Sequence, residues 1–190
     1  MKTTEPIRDK QQLSKLLRYY KNKGETRNHL LINLCVYTAL RISDVLNLKT
    51  NDVYDFKNRK IRKSITITEM KTGKHKTIAL HNNVRKILST YIHTALPNQA
   101  LIYNTHTGKA ISRIQAFRLI QAAADEVGIA QNISCHSLRK TFGYHAWKNG
   151  VSPAVIMEIY NHSNFAVTKR YLGVSQDDKD DVYLGMRYTA

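Results

Sequence analysis

The stretch LLINLCVYTAL, residues 30–40, is apolar almost without a break. It falls well short of the ~18 residues that a membrane span needs. It therefore reads as the body of a buried helix, ETRNHLLINLCVYTAL, which the rest of the domain must cover. Ahead of it, DKQQLSKLLRYYKNKG (9–24) has amphipathic helical spacing and is closed by Gly24. Beyond it, SDVLNL predicts a short helix with Ser43 as its cap. From Asn51 to Leu80 the texture changes. KSITITEM and KTIAL alternate, with KTGK between them, which predicts strands joined by a Gly-containing turn. Helices then resume with VRKILSTYI and with RIQAFRLIQAAADEV, the latter between a Ser112 cap and Gly128. SLRKTFGYHAWKN ends at Gly150. PAVIMEIY starts with Ser152 at the cap and Pro153 at the first helical position. DDVYLGMRY makes a final helix. The expected fold is α+β: mainly α with a small antiparallel three-stranded sheet, built on one well-filled core.

Charge narrows the partners. Thirty Lys and Arg against fourteen Asp and Glu give +16. Such an excess favours a polyanion, because each cation placed on a phosphate releases condensed counterions. The opening MKTTEPIRDK lacks the apolar core of a signal peptide. Cys35 and Cys135 have no CxxC spacing, which suggests reduced thiols. Cys135, His136 and His145 lack ligand spacing, so no metal or other cofactor is expected, and His145 reads as structural. These features suit a cytoplasmic, DNA-associated protein with no membrane segment.

Four places carry reactive chemistry. His136 and Arg139 stand at i and i+3 at a helix start, where they share a face and where free N–H groups favour an anion. Arg41 ends the apolar helix, a costly position unless it reaches an anion. A salt bridge to Asp44 is the other reading, and the two are compatible if Asp44 orients Arg41. Lys71 sits at the hairpin turn in EMKTGK, where a mobile tip can lower an ammonium onto a substrate; Lys74 and Lys76 compete for that role. Finally, His162 precedes Tyr171 by nine residues, leaving Tyr171 either to pack or to react.

Four segments together, ALRISDVLNLKTNDV, MKTGKHKTIAL, HSLRKTFGYHAWKNGV and NHSNFAVTKRYLGV, resemble the motif blocks of the tyrosine recombinase (phage integrase) family, in the family's order. The match runs from about Arg27 to Val174 and includes a histidine 23 residues after Arg139. The resemblance implies the fold of a tyrosine recombinase catalytic domain and a site-specific recombinase that cuts and rejoins DNA through a 3′-phosphotyrosyl intermediate, without a metal. Arg41 and Arg139 would clamp the scissile phosphate, Lys71 would protonate the leaving 5′ hydroxyl, and His136 would move a proton. His162 would hold a phosphate oxygen and Tyr171 would attack phosphorus. A phenol of pKa ~10 needs a nearby base and a positive field to do so. Two planar guanidiniums suit the charge spread over a five-coordinate phosphorane.

Some features depart from the family. Asn161 and Ala39 stand where glycine is frequent, and Lys140 stands where histidine is common. Only about 26 residues precede the pattern, where the family usually has a DNA-binding domain that completes a clamp. The expected division is a lead-in helix over 1–26, a catalytic domain over 27–174 and a tail over 175–190. The chain is then either a naturally short recombinase or a catalytic fragment. The acidic DDKDD in the tail suits either a helix start or a tail helix docking on a neighbouring protomer. Lys74, Lys76, Arg113, Lys140 and Lys169 are candidates for the DNA backbone, with Arg118 and Lys148. The expected partners are double-stranded DNA and further copies of the chain, from dimer to tetramer in the synapse. A catalytically silent DNA-binding regulator built on the same fold is the alternative.

Overall fold

The computed structural model describes residues 4–174 and 176–186. Helix α1 (Lys10–Asn22) starts at Asp9, whose Oδ1 accepts from Gln11 N at 2.6 Å and Gln12 N at 3.0 Å, a side-chain cap for otherwise orphan amides. Its apolar edge, Leu16 and Tyr20, is buried against α2 (Thr26–Thr38). Helix α2 is the centre of the molecule. Leu30, Leu31, Ile32, Leu34, Cys35 and Val36 point to all sides of it and are all buried. It is covered by α1, by α5 (Asn82–Tyr91) and by α7 (Cys135–Lys148). Asn33, buried in the same helix, donates to the carbonyls of His29 and Leu17 at 2.8 and 3.1 Å, so no polar cost is left standing there.

Ala39 ends α2 in the left-handed region, at φ 54°. The chain turns sharply, and α3 (Ile42–Asn47) begins with Arg41, rather than Ser43, at its cap position. Short α4 (Thr50–Val53) follows, then β1 (Tyr54–Asp55), β2 (Lys60–Ile61), β3 (Ser64–Thr68) and β4 (His75–Ala79). The expected single three-stranded sheet is instead two antiparallel two-stranded ribbons, β1 with β2 and β3 with β4. The reason lies in β1, which is two residues long and reaches only the first part of the 60–68 run. Arg62 N donates to Val53 O at 2.8 Å, and the next carbonyl, Lys63 O, already belongs to Leu80 N at 2.8 Å. The two partners therefore take successive parts of that run instead of its opposite edges.

The remaining helices are α6 (Arg113–Glu126), α8 (Pro153–Tyr160), α9 (Phe165–Leu172) and α10 (Gln176–Gly185). The cap at Ser112 and the Ser152–Pro153 start are both present. The apolar interior has two parts. The larger gathers around α2. A smaller one, built on Ala39, Ile156, Tyr160 and Leu172 with Phe142, Trp147 and Tyr171 against it, joins α7, α8 and α9. Residues 4–8 run as a strap across α7. Ile7 is fully buried, its N–H donates to Thr141 Oγ1 at 2.9 Å, and its carbonyl lies 2.9 Å from His145 Nε2. No described helix is long and apolar enough to cross a membrane.

Candidate active site

One cleft of about 930 Å³ is lined by Arg41, Lys71, His136, Arg139, His162 and Tyr171. Their convergence has identifiable local causes. The left-handed turn at Ala39 lifts Arg41 out of the core, where it pairs with Glu69 (Nη1–Oε2, 3.0 Å). Asp44, the carboxylate expected to hold Arg41, instead accepts from Met70 N at 3.0 Å. Glu69 is fully buried. Burial opposes its ionisation, but hydrogen bonds from Thr72 and Asn161 and the Arg41 guanidinium outweigh it, so the carboxyl stays below its ordinary range. Both acids thus fix the turn end of the β3–β4 hairpin, just ahead of Lys71, which is exposed at the tip.

Helix α7 is capped by Ser134, whose Oγ accepts from His136 N at 3.1 Å and Ser137 N at 3.4 Å. These amides are occupied, so the cleft is faced by side chains rather than by a bare helix start. Arg139 lies almost wholly out of solvent at 1% exposure. Its Nη1 donates to Ala39 O and its Nη2 to Tyr160 O at 3.0 Å, while Nε is buried without an acceptor. Its guanidinium carbon is 4.6 Å from the centroid of the Tyr160 ring.

Asn161 closes α8 in the left-handed region at φ 54°, a conformation Asn tolerates better than most residues. Helix α9 then starts at Asn164, whose Oδ1 accepts from Ala166 N at 2.7 Å. The nine-residue offset is therefore one tight turn plus two helical turns, which folds Tyr171 back beside His162. The Tyr171 ring packs edge-on to both His136 and His162, with centroids 4.8 Å away in each case. His162 Nδ1 is 3.0 Å from Thr168 Oγ1, which sets the ring's orientation.

His136 is exposed at the cleft, yet partial loss of hydration there, then the charges of Lys140, Arg139, Arg41 and Lys71, bring its imidazole down to about 4. Burial and the two arginines likewise bring His162 to about 4. Both rings are neutral near pH 7, so each can accept a proton.

The basic residues expected at the DNA backbone divide. Arg113, Lys74 and Lys169 are exposed, and Arg113 lines the cleft. Lys76 is only partly exposed and Lys140 is buried. Lys76 Nζ donates to Ile159 O, and burial, then Arg139, lowers its ammonium to about 8. Lys140 is 7% exposed and donates to Thr4 O in the strap. Glu69 and Tyr160 were not singled out by motif reasoning, because their roles depend on partners 28 and 21 residues away in the sequence.

The sequence model described as the phage integrase family matches residues 8–177. "Probable integrase/recombinase YoeC" of Bacillus subtilis is 33% identical over 183 residues, covering 96% of this chain and 97% of its own length. A "Tyrosine recombinase" of Thermosipho africanus is 28% identical over 170 residues, 90% of this chain and 58% of the relative. Among solved structures, XerA recombinase superposes with a TM-score of 0.78 at 20% identity, over 99% of this chain and 66% of that one. XerH recombinase, in a post-cleavage complex with its palindromic difH substrate, gives 0.77 at 18%, over 96% and 53%. The chain thus spans nearly all of the first relative and between half and two thirds of the other three.

Proposed function

Because this chain belongs to the phage integrase family, we propose that it is a site-specific DNA recombinase that breaks and rejoins strands through Tyr171. The observation that carries the reading is the position of the Tyr171 phenol between two neutral imidazoles, in one cleft with Arg41, Lys71 and Arg139. The proteins that share its fold include XerH site-specific recombinase, solved bound to its palindromic difH substrate in a post-cleavage complex.

In the proposed step the phosphodiester rests on Arg41 and Arg139, whose guanidiniums match the growing equatorial charge. Tyr171 Oη forms a bond to phosphorus as its proton passes to His136. The bond from phosphorus to the 5′ oxygen breaks, and that oxygen takes a proton from Lys71, leaving a neutral amine. His162, oriented by Thr168, donates to a non-bridging oxygen. The phosphotyrosyl ester retains the energy of the broken bond, so another 5′ hydroxyl can reverse the sequence on a different strand.

The catalytic unit in this reading covers 27–174, with 1–26 leading in and 175–190 as a tail. Helix α10 exposes Val182 (62%), Tyr183 (79%) and Leu184 (87%), which supports docking of the tail on a neighbouring copy within a dimer or tetramer on double-stranded DNA; residues 187–190 lie outside the described residues. The site of action is the DNA of the cytoplasm. The test is a nicked suicide duplex taken from DNA flanking the gene. Wild type is expected to give a covalent protein–DNA band and Tyr171→Phe none while still binding. DNA binding without a band in either protein would favour the silent regulator.

A further inference from the structure

Helix α8 ends with two carbonyls that the helix itself leaves without partners. Ile159 O accepts from Lys76, and Tyr160 O accepts from Arg139 at 3.0 Å. The partial negative charge at a helix C-terminus suits both cations. Directly after them the chain turns at Asn161, and His162 N donates back to Met157 O at 3.1 Å. Lys76 lies on β4, opposite Ile67 on β3. The other strand of the hairpin is pinned where it ends, through Glu69 on Arg41 and Met70 N on Asp44, each at 3.0 Å. The turn bearing Lys71 is thus fastened from both strands, close to the tip.

We propose that Lys76 is a positioning residue whose ammonium, through the Ile159 carbonyl, ties the hairpin carrying Lys71 to the end of α8 that sets Arg139 and His162. The inference rests on the recombinase reading above. Loss of the charge leaves the Ile159 carbonyl unpaired, frees β4 from α8, and lets the general acid drift relative to the phosphate clamp. A displacement of about 1 Å at such a site can cost on the order of 100-fold in rate.

Lys76 is also placed to respond to the substrate. Burial does most to press its proton off, Arg139 on α7 and Arg41 before α3 add to it, and Glu69 and Asp44 hold the proton on. A phosphate seated on the two arginines removes their share of that repulsion and so favours the protonated ammonium of Lys76.

Single-turnover formation of the covalent complex would be followed with wild type, Lys76→Met and Lys76→Arg on the nicked duplex. At saturating DNA, Lys76→Met is expected to react at least about 10-fold more slowly while its DNA affinity changes less than about 3-fold. At limiting DNA, where the free protein's groups are read, the wild-type rate should fall as pH rises through about 8. Lys76→Arg, which keeps its proton, should stay level there. A wild-type rate in Lys76→Met, or the same alkaline fall in Lys76→Arg, would overturn the proposal. If thermal melting shows Lys76→Met unfolded, the wild-type and arginine pH profiles decide alone. If wild type gives no covalent complex, the recombinase reading has failed, and DNA affinity then serves instead. A loss of affinity above pH 8 that Lys76→Arg abolishes supports the link, and parallel profiles refute it.

Discussion

Arg139 and Tyr160 hold each other from two helices. Arg139 Nη2 donates to the Tyr160 carbonyl at 3.0 Å, and the Tyr160 hydroxyl donates to the Arg139 carbonyl at 2.6 Å. The tyrosine ring lies under the guanidinium, adding a cation–π contact to the reciprocal bonds. A proposed phosphate ligand is thereby fixed by a residue that never meets the phosphate.

This lock depends on the space at Gly143, where a Cβ would collide with the Tyr160 hydroxyl and stand 3.0 Å from its ring. Gly143→Ala should destabilise the fold by about 1–3 kcal/mol through overpacking and slow strand cleavage beyond what thermal melting explains. Calorimetry together with the covalent-complex assay would check both. A fully active Gly143→Ala would show that the lock is dispensable.

Glu69→Gln keeps the shape of the side chain but removes the charge paired with Arg41. With Arg41 only partly exposed, the loss should cost about 1–3 kcal/mol, below the full price of breaking a wholly buried pair. Cleavage should fall by about 10-fold as the guanidinium loses its fixed direction. Denaturant titration and single-turnover rates measure the two effects. Asp44→Asn should disturb the hairpin tip through Met70 and leave the Arg41 pair in place.

Acid should loosen the fold before the carboxylates titrate. Unfolded histidines take protons near ~6.5, whereas His136 and His162 in the folded chain do so at about 4. Between those values the unfolded state binds more protons, so stability present above about pH 6.5 is lost as pH falls towards 4. His29 and His145, lowered chiefly by burial, act in the same sense. Denaturation midpoints across this range should be flatter for His162→Asn than for wild type. An unchanged slope would count against the shift.

Basic residues should separate by their surroundings. Arg113→Ala should weaken DNA binding and reduce the slope of log K against log salt by about 0.9, the amount expected for one phosphate contact. Lys140→Ala should leave that slope alone and lower the melting temperature, because Lys140 anchors the strap at Thr4. Fluorescence anisotropy over a salt series distinguishes the two.

Much of this was legible in the sequence because it is local. The all-round apolar face of α2, the Ser112 cap and the Ser152–Pro153 start are decided within a few residues. The His162–Tyr171 offset also has a local cause, one turn and one short helix. What was hidden depends on tertiary neighbours. Asp44 is three residues from Arg41 and looked like its partner, yet the hairpin delivers Glu69 instead. Lys76 and Lys140 read as surface cations until packing supplies carbonyls at Ile159 and Thr4. The sheet divided because β1 is too short to run along both β2 and β3, a length that alternation alone does not define.

The small apolar cluster under α8 and α9 gives the molecule two different stiffnesses. Arg41 is anchored to the large core around α2, whereas Tyr171 rests on a patch with only a few buried side chains. Local opening starts where least burial is lost. The proposed nucleophile is therefore mounted on a spring and the arginine on an anvil, so in the proposed reaction the helix joined to a cut strand can swing without unseating the scaffold that waits for the next one.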